Sequence, residues 1–215
     1  MTPAFNSEKH EYRINGRVVP SVTQLIEAVL ERQFAVDAWY LERGTAVHAC
    51  AALIARGKDF ACDERIKGYV AAVRKFFRDL KPLVIGEEMI VGSELYQYAG
   101  TLDLLAMING VRVVVDYKNS LDTERTKLQL AGYAVALPSR IPANAGMGIE
   151  LHEDGTYRST GVVDLKLAKQ EFLAMRTVYG IRERMGLNNR RKRMKIIGEM
   201  RDGFIMKEIT DERVG

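Results

Sequence analysis

Residues 98–133 read YAGTLDLLAMINGVRVVVDYKNSLDTERTKLQLAGY, a stretch that predicts two strands followed by a helix. Asn109-Gly110 separates two apolar runs, and this dipeptide favours a two-residue hairpin turn because it tolerates positive φ. Pairing the runs across that turn brings Asp103 towards Asp116. Because side chains alternate along a strand, Asp116 and Lys118 share a face. The stretch therefore places two acids and a base at one edge of an otherwise apolar sheet.

Two aspartates in apolar strands allow two interpretations. A buried carboxylate is costly unless it is compensated, and a divalent cation is the common compensation where two carboxylates converge. The plainer alternative places both aspartates at strand ends in water, with Lys118 as a surface ion-pair partner. From these three residues alone both interpretations stay open.

The flanking sequence predicts further strands and helices. Residues 10–19 alternate around a second Asn-Gly and predict a hairpin, after which Ser21 and Gln24 form a capping-box pattern that begins a helix. Helices are also predicted for residues 44–56 and 63–80, and a strand for residues 83–91.

The C-terminal half continues this alternation. A helix that begins at Asp122 or Thr123 is predicted to reach residue 137, with Gln129 and Tyr133 on one face. Residues 148–151 and 157–163 predict a second hairpin that extends the sheet, and residues 164–185 predict a long helix. The predicted fold class is α/β (α+β), a central mixed sheet flanked by helices.

Composition excludes several classes of protein. The chain has 215 residues, 47% of them apolar and 28% charged, which fits one substantial core. We expect a cytoplasmic protein without a membrane partner, because no run approaches a membrane span and the N-terminus lacks signal-peptide features. Cys50 and Cys62 are predicted to be buried free thiols. A phosphate-binding GxxxxGK[ST] loop is not found.

The net charge of +4 is unevenly distributed. Residues 181–201 carry eight basic side chains against two acidic ones, including the run Arg190, Arg191, Lys192 and Arg193. A polyanion would be met mainly by this segment, since lysine and arginine contacts to phosphate dominate nucleic-acid affinity. A solvated basic helix without a ligand is the open alternative.

Three short motifs carry a resemblance to a known family. Gly100-Thr-Leu-Asp103, Asp116-Tyr-Lys118 and Gln129-x-x-x-Tyr133 resemble, in order and spacing, the RecB-like branch of the PD-(D/E)XK nuclease superfamily. Upstream, Gly44-Thr-Ala-Val-His48 and Glu88 match the same branch. The segment PSVTQ at 20–24, followed by Trp39, looks like the phage and mitochondrial genome-maintenance exonucleases. The resemblance covers residues 10–137, and Leu102 replaces the proline of the superfamily's name.

The resemblance implies a restriction-endonuclease-like core within a single nuclease domain over residues 1–215. The core would span about 40–165, preceded by an N-terminal hairpin and helix at 10–40 and followed by a basic helical tail at 180–201. Its setting would be bacterial or phage-infected host cytoplasm. The expected partner is DNA, as single strands or duplex ends, with a homo-oligomer or a recombination partner protein left open. The four-cysteine iron–sulfur cluster of some relatives is not expected.

The resemblance also assigns residue roles. One or two Mg²⁺ or Mn²⁺ ions are expected as cofactors. The implied metal ligands are His48, Glu88, Asp103, Asp116 and the backbone carbonyl of Tyr117. The implied catalytic residues are Asp103, Asp116, Lys118, Gln129 and Tyr133. The implied DNA contacts are Ser21, Thr23, Ser120, Arg190, Arg191, Lys192 and Arg193, with helix capping ranked before phosphate binding for the first two.

Three functions fit this sequence. The first is a metal-dependent DNA exonuclease acting in recombination, repair or phage DNA processing. The second is a structure-specific or single-strand endonuclease of the same superfamily, and the third is a non-catalytic nucleic-acid-binding protein. Tyr96, Tyr98, Tyr117 and Tyr133 are candidates for stacking on bases, although aromatic residues in strands usually belong to the core.

Overall fold

The computed structural model describes residues 3–30 and 38–188. It begins with a three-stranded antiparallel sheet of β1 (Ala4–Asn6), β2 (Glu11–Ile14) and β3 (Arg17–Val19). Asn15 and Gly16 form the β2–β3 turn, with φ of 50° and 77°, which confirms the predicted hairpin. β1 is an additional strand, too short to show an alternating pattern in the sequence.

Helix α1 (Val22–Leu30) begins with the predicted capping box. The backbone N–H of Gln24 donates to Ser21 Oγ at 3.1 Å, and the backbone N–H of Ser21 donates to Gln24 Oε1 at 2.9 Å. These two bonds satisfy amide groups that the first turn of a helix leaves unpaired. Capping is thus the observed role of Ser21, which is buried.

A six-stranded mixed sheet forms the centre of the fold. Its order is β4-β5-β6-β7-β8, with β9 on β7, and only the β6–β7 pair is parallel. The strands are β4 (Leu83–Ser93), β5 (Tyr98–Ile108), β6 (Val111–Lys118), β7 (Ala145–Leu151), β8 (Tyr157–Ser159) and β9 (Val163–Asp164). The parallel pair is joined by a helix, as such a connection requires.

The β5–β6 hairpin matches its sequence prediction. Ile108 pairs with Val111, so the turn consists of Asn109 and Gly110 alone, with φ of 49° and 79°. Both residues adopt the left-handed conformation that asparagine and glycine tolerate best. A two-residue turn fixes the register of every residue pair along the hairpin.

Helices cover both faces of the sheet. α2 (Ala38–Ala55) and α3 (Lys67–Leu80), with a 3₁₀ turn at Glu64–Ile66 between them, pack on the sheet face that carries Tyr117, where Phe76 of α3 is buried against the Tyr117 ring. α4 (Thr123–Ala136) packs on the opposite face, where a Cβ at Gly146 would lie 3.0 Å from Leu130. The predicted mixed sheet flanked by helices is confirmed.

The predicted helices differ from the observed ones mainly at their ends. The helix predicted for 44–56 begins earlier, at Ala38. Residues 64–66 form a 3₁₀ turn rather than the start of an α-helix, and α3 ends at Leu80, before Lys81, whose φ is 44°. α5 (Lys166–Arg184) begins after Asp164, whose Oδ1 accepts from the backbone N–H of Lys166 at 2.6 Å.

Two compact units divide the chain, residues 1–176 and 177–215. The first contains both sheets, while the described part of the second continues α5 and ends in turns. The single-domain organisation remains a prediction, and the basic run at 190–193 lies outside the described residues. Cys50 is buried and free as predicted, whereas Cys62 is free but only half-buried, because it lies in the loop before the 3₁₀ turn. Among residues 3–30 and 38–188, no helix combines the length and apolarity needed to cross a membrane.

Candidate active site

The two aspartates lie where β5 and β6 stop pairing. The ladder ends at Leu104 and Val115, so Asp103 and Asp116 are the next residues in register. Instead of a backbone pair, Asp103 Oδ2 accepts a hydrogen bond from the backbone N–H of Tyr117 at 2.7 Å. Asp103 is 8% exposed and Asp116 is 2% exposed, which makes both of them buried carboxylates. Such groups are rare in proteins unless they are paired.

A histidine and a glutamate converge on Asp103. His48 Nδ1 lies 3.1 Å from Asp103 Oδ1, which connects α2 to the central sheet. Glu88 extends from the neighbouring strand β4. One ligand atom from each of His48, Glu88 and Asp103 lies within 4.8 Å of the other two. A nitrogen and two carboxylate oxygens at this separation are a donor set that a divalent cation accepts.

Glu88 has an unusual backbone for a strand residue. Its φ is 46°, in the left-handed region, and the β4–β5 ladder skips the pair it would form with Asp103. Backbone strain of this kind tends to occur at functional sites, where the surrounding structure maintains it. Glu87, the adjacent acid, accepts instead from Arg56 Nε at 2.6 Å. Of the two glutamates, only Glu88 belongs to the cluster.

Asp116 belongs to a second, connected group. Gln129 Nε2 donates to Asp116 Oδ1 at 3.0 Å, and Lys118 Nζ donates to Gln129 Oε1 at 2.8 Å. The same Gln129 amide also donates to Tyr133 Oη at 3.0 Å. Lys118 Nζ lies 2.6 Å from Asp116 Oδ2, which closes a ring of contacts between β6 and α4.

One oxygen of this group is left without a hydrogen bond. Asp116 Oδ2 is buried and has no hydrogen-bond partner among the described residues, although the Lys118 ammonium lies close enough for an ion pair. A buried carboxylate oxygen that only a nearby charge compensates is the kind of atom that a cation binds. The residues present therefore fit a divalent ion at the cluster of His48, Glu88 and Asp103, while the Lys118 ammonium offsets the charge of Asp116.

The pKa values follow from burial and mutual charge. Burial raises the pKa of Asp116 to about 6, even though Lys118 opposes this. Burial also disfavours charge on Asp103 and His48, but their mutual attraction outweighs it: the pKa of Asp103 falls and that of His48 rises to about 9. Burial and the Asp103 charge raise the pKa of Glu88. The cluster thus concentrates negative charge that a metal-free protein offsets with protons and Lys118.

The remaining predicted residues divide into two groups. Ser120 is exposed on the loop after Lys118, at the same sheet edge as the cluster, whereas Ser21 is buried and its hydroxyl contacts Thr23 Oγ1 at 2.9 Å. The tyrosines considered for base stacking are mostly core residues: Tyr98 is 0%, Tyr117 3% and Tyr133 5% exposed. Because these three side chains are buried, the prediction that they stack on bases is wrong.

Sequence reasoning missed one nearby side chain, Arg125. It precedes Gln129 by four positions on α4, and its Nη2 lies 3.7 Å from Glu27 Oε1 of α1. The helical spacing was visible in the sequence, but the partner on α1 was not.

Comparisons with known proteins give distant structural matches only. The crystal structure of LHK-Exo in complex with dAMP is 9% identical with a TM-score of 0.44, over 82% of this chain and 93% of that one. An alkaline exonuclease (LHK-Exo) from Laribacter hongkongensis is 8% identical with a TM-score of 0.40, over 80% and 91%. No protein-family model matches the chain. No curated protein matches it either.

Proposed function

We propose that the chain is a metal-dependent nuclease of the PD-(D/E)XK type that hydrolyses phosphodiester bonds in DNA, acting as an exonuclease. The observation that carries this proposal is Asp116 Oδ2, a buried carboxylate oxygen that has no hydrogen-bond partner among the described residues and lies 2.6 Å from Lys118 Nζ. A purely structural buried acid is normally satisfied by hydrogen bonds. An acid placed beside a lysine and a second acid group suits the hydrolysis of an anionic substrate.

His48, Glu88, Asp103 and Asp116 would hold one or two Mg²⁺ or Mn²⁺ ions, with the Tyr117 carbonyl as a further oxygen. Bound ions of this kind lower the pKa of water and neutralise the charge that develops on a phosphate during hydrolysis. The imidazole of His48 favours Mn²⁺ somewhat, while the carboxylates suit either ion. The backbone N–H of Tyr117 donates to Asp103 Oδ2 at 2.7 Å and so orients this carboxylate for metal binding.

Lys118 acts on the substrate side of the site. The Lys118 side chain is 27% exposed, and its ammonium contacts the buried Asp116, so the side chain lies between the interior and solvent. In that position it orients the attacking water and offsets negative charge on the phosphate. Gln129 holds both Lys118 and Asp116, and Tyr133 fixes the Gln129 amide. Gln129 and Tyr133 are therefore positioning residues in this proposal.

DNA is the proposed substrate and partner, within a single domain whose basic tail adds phosphate contacts. The preference for ends follows from the resemblance to RecB-like exonucleases. The endonuclease alternative differs only in its product, since both reactions use the same site.

The test is cleavage of end-labelled DNA by the full chain with Mg²⁺ or Mn²⁺. We expect degradation of linear DNA that EDTA, Asp116→Asn and Lys118→Met each abolish, while circular dichroism shows that both variants fold. Cleavage of circular single-stranded DNA would replace the exonuclease with the endonuclease alternative. If both variants cut linear DNA as fast as the parent, the site is not the active site.

A further inference from the structure

Arg125 lies on the first turn of α4, the helix that follows the strand carrying Asp116 and Lys118. β6 ends at Lys118 and α4 begins at Thr123, so the first turn of α4 lies at the same sheet edge as the acidic cluster. Residues four apart share a helix face, with a rise of about 6 Å between them. Arg125 therefore lies one turn before Gln129, which contacts Lys118 and Asp116.

The guanidinium of Arg125 has few partners for its depth. Nη1 is buried and has no hydrogen-bond partner among residues 3–30 and 38–188. Nη2 lies 3.7 Å from Glu27 Oε1, an ion pair longer than a hydrogen bond. A guanidinium carries five donors, and buried donors are normally satisfied. Arg125 is thus held near an anion that it does not bind closely.

A phosphate supplies what the guanidinium lacks. The planar fork of arginine matches two phosphate oxygens at once, which a single distant carboxylate oxygen does not. The side chains of Arg125 and Glu27 are 23% and 37% exposed, so solvent reaches part of each side chain, although Nη1 itself is buried. The Glu27 carboxylate lies near Nη2 but makes no hydrogen bond to Nη1.

We propose that Arg125 binds a phosphate of the DNA strand beside the scissile bond, and that Glu27 holds the guanidinium until this phosphate displaces it. The inference rests on the proposed nuclease function. It predicts opposite changes in DNA affinity for variants of Arg125 and Glu27. Removing the arginine weakens DNA binding, whereas removing the Glu27 charge strengthens it, because a competing anion is lost.

The experiment measures binding of a labelled single-stranded oligonucleotide to the full chain in EDTA, by fluorescence anisotropy over a series of KCl concentrations. For Arg125→Gln we expect a loss of affinity of roughly three- to tenfold and a salt slope smaller by about 0.7, the change for one phosphate contact to a single strand. For Glu27→Gln we expect binding about twofold tighter.

Lys127→Gln is the matched control. Lys127 is on the same helix, its side chain is 31% exposed, and it pairs on the surface with Glu124 at 2.8 Å. The same charge is lost, so a general electrostatic effect would appear in both variants. We expect Lys127→Gln to stay within about twofold of the parent. In Mg²⁺, Arg125→Gln should raise KM with kcat within about twofold, since a flanking contact serves substrate and transition state alike.

Three substrates identify the phosphate. A loss of affinity shared by circular, 5′-hydroxyl and 5′-phosphorylated strands supports an internal phosphate, and a loss confined to 5′-phosphorylated strands supports a terminal one. If Arg125→Gln and Lys127→Gln bind alike in a chain that still cuts DNA, this inference fails and the nuclease proposal stands. If Arg125→Gln does not fold, weaker or unchanged binding by Glu27→Gln overturns the inference. A chain that neither binds nor cuts DNA overturns both proposals.

Discussion

The carboxylate of Asp103 takes the place of a backbone partner for Tyr117, accepting its N–H at 2.7 Å where the β5–β6 ladder has ended. Asp103→Ala leaves this buried N–H unsatisfied, so we expect a loss of about 1–3 kcal/mol in the free energy of unfolding in EDTA. Asp103→Asn keeps an acceptor oxygen and should lose less. Urea unfolding followed by circular dichroism measures both.

Asp59→Ala, an exposed aspartate, is the control and should change stability by less than about 0.5 kcal/mol. Equal stability of the Ala and Asn variants at position 103 would mean that the bond to Tyr117 contributes nothing. DNA cleavage should be lost in Asp103→Ala and in Asp103→Asn, because the first removes the metal ligand and the second replaces a carboxylate with an amide, a poorer ligand.

Two adjacent glutamates provide a matched pair for metal binding. Glu88 belongs to the cluster with His48 and Asp103, whereas Glu87 pairs with Arg56. We expect Glu88→Gln to lower the affinity for Mn²⁺ by about tenfold or more, because it removes one charged oxygen ligand. Glu87→Gln should bind Mn²⁺ like the parent. Titration calorimetry measures both, and equal affinities in the two variants would exclude Glu88 from the metal site.

Lys118 compensates the buried charge of Asp116, and its removal has a stability consequence. In EDTA, Lys118→Met should lower the free energy of unfolding by about 2 kcal/mol, since it leaves a buried carboxylate without its cation. The double variant Asp116→Asn/Lys118→Met should be more stable than the sum of the single effects. A double-mutant cycle in urea measures this coupling, and simple additivity would contradict it.

Mg²⁺ should restore part of the stability of Lys118→Met but none of its DNA cleavage. The ion supplies positive charge beside Asp116, whereas nothing replaces the ammonium on the substrate side.

Local sequence signals accounted for much of the fold because the interactions behind them are short in range. Asn109-Gly110 fixes a hairpin through backbone conformation, and Ser21 with Gln24 caps α1 through two bonds three residues apart. Motif spacing favoured Glu88 over Glu87 as a metal ligand, which stays a prediction; in the structure Glu88 has a ligand atom within 4.8 Å of those of His48 and Asp103.

Other features depend on tertiary contacts that no local pattern encodes. The left-handed φ of Glu88 arises opposite Asp103, on a different strand, and the 3.1 Å contact between His48 and Asp103 joins residues 55 positions apart. The partner of Arg125 on α1 depends on how two helices pack. Burial of Tyr98 follows from the packing of Phe172 against it, with 5.1 Å between the ring centroids.

Two helical glycines predict opposite responses to alanine. At Gly132 on α4, a Cβ would lie 2.7 Å from the Phe172 ring and 2.8 Å from Val22 Cγ1, so both must shift. We expect Gly132→Ala to cost about 1–3 kcal/mol despite the better helix propensity of alanine. At Gly44 on α2 the nearest atom is Asn119 Nδ2 at 3.8 Å, and Gly44→Ala should be neutral or stabilising by up to about 1 kcal/mol. Thermal unfolding ranks the two, and the reverse order would contradict this packing.

The metal-free protein should lose stability at high pH because of His48. The pKa of His48 is raised from 6.5 to about 9 by Asp103, despite the opposing effect of burial. Its charged form therefore stabilises the fold fully below about pH 6.5, and this contribution is lost as the pH rises through about 9. Because 33% of the side chain is exposed, the loss should be on the order of 1 kcal/mol rather than the full value of the shift.

Urea unfolding in EDTA at pH 6.5 and 9.5 measures this loss. The free energy of unfolding should fall less for His48→Gln than for the parent, with His152→Gln, a histidine outside the cluster, as the control. Equal falls in the parent and His48→Gln would mean that the Asp103 contact does not hold the proton on the imidazole.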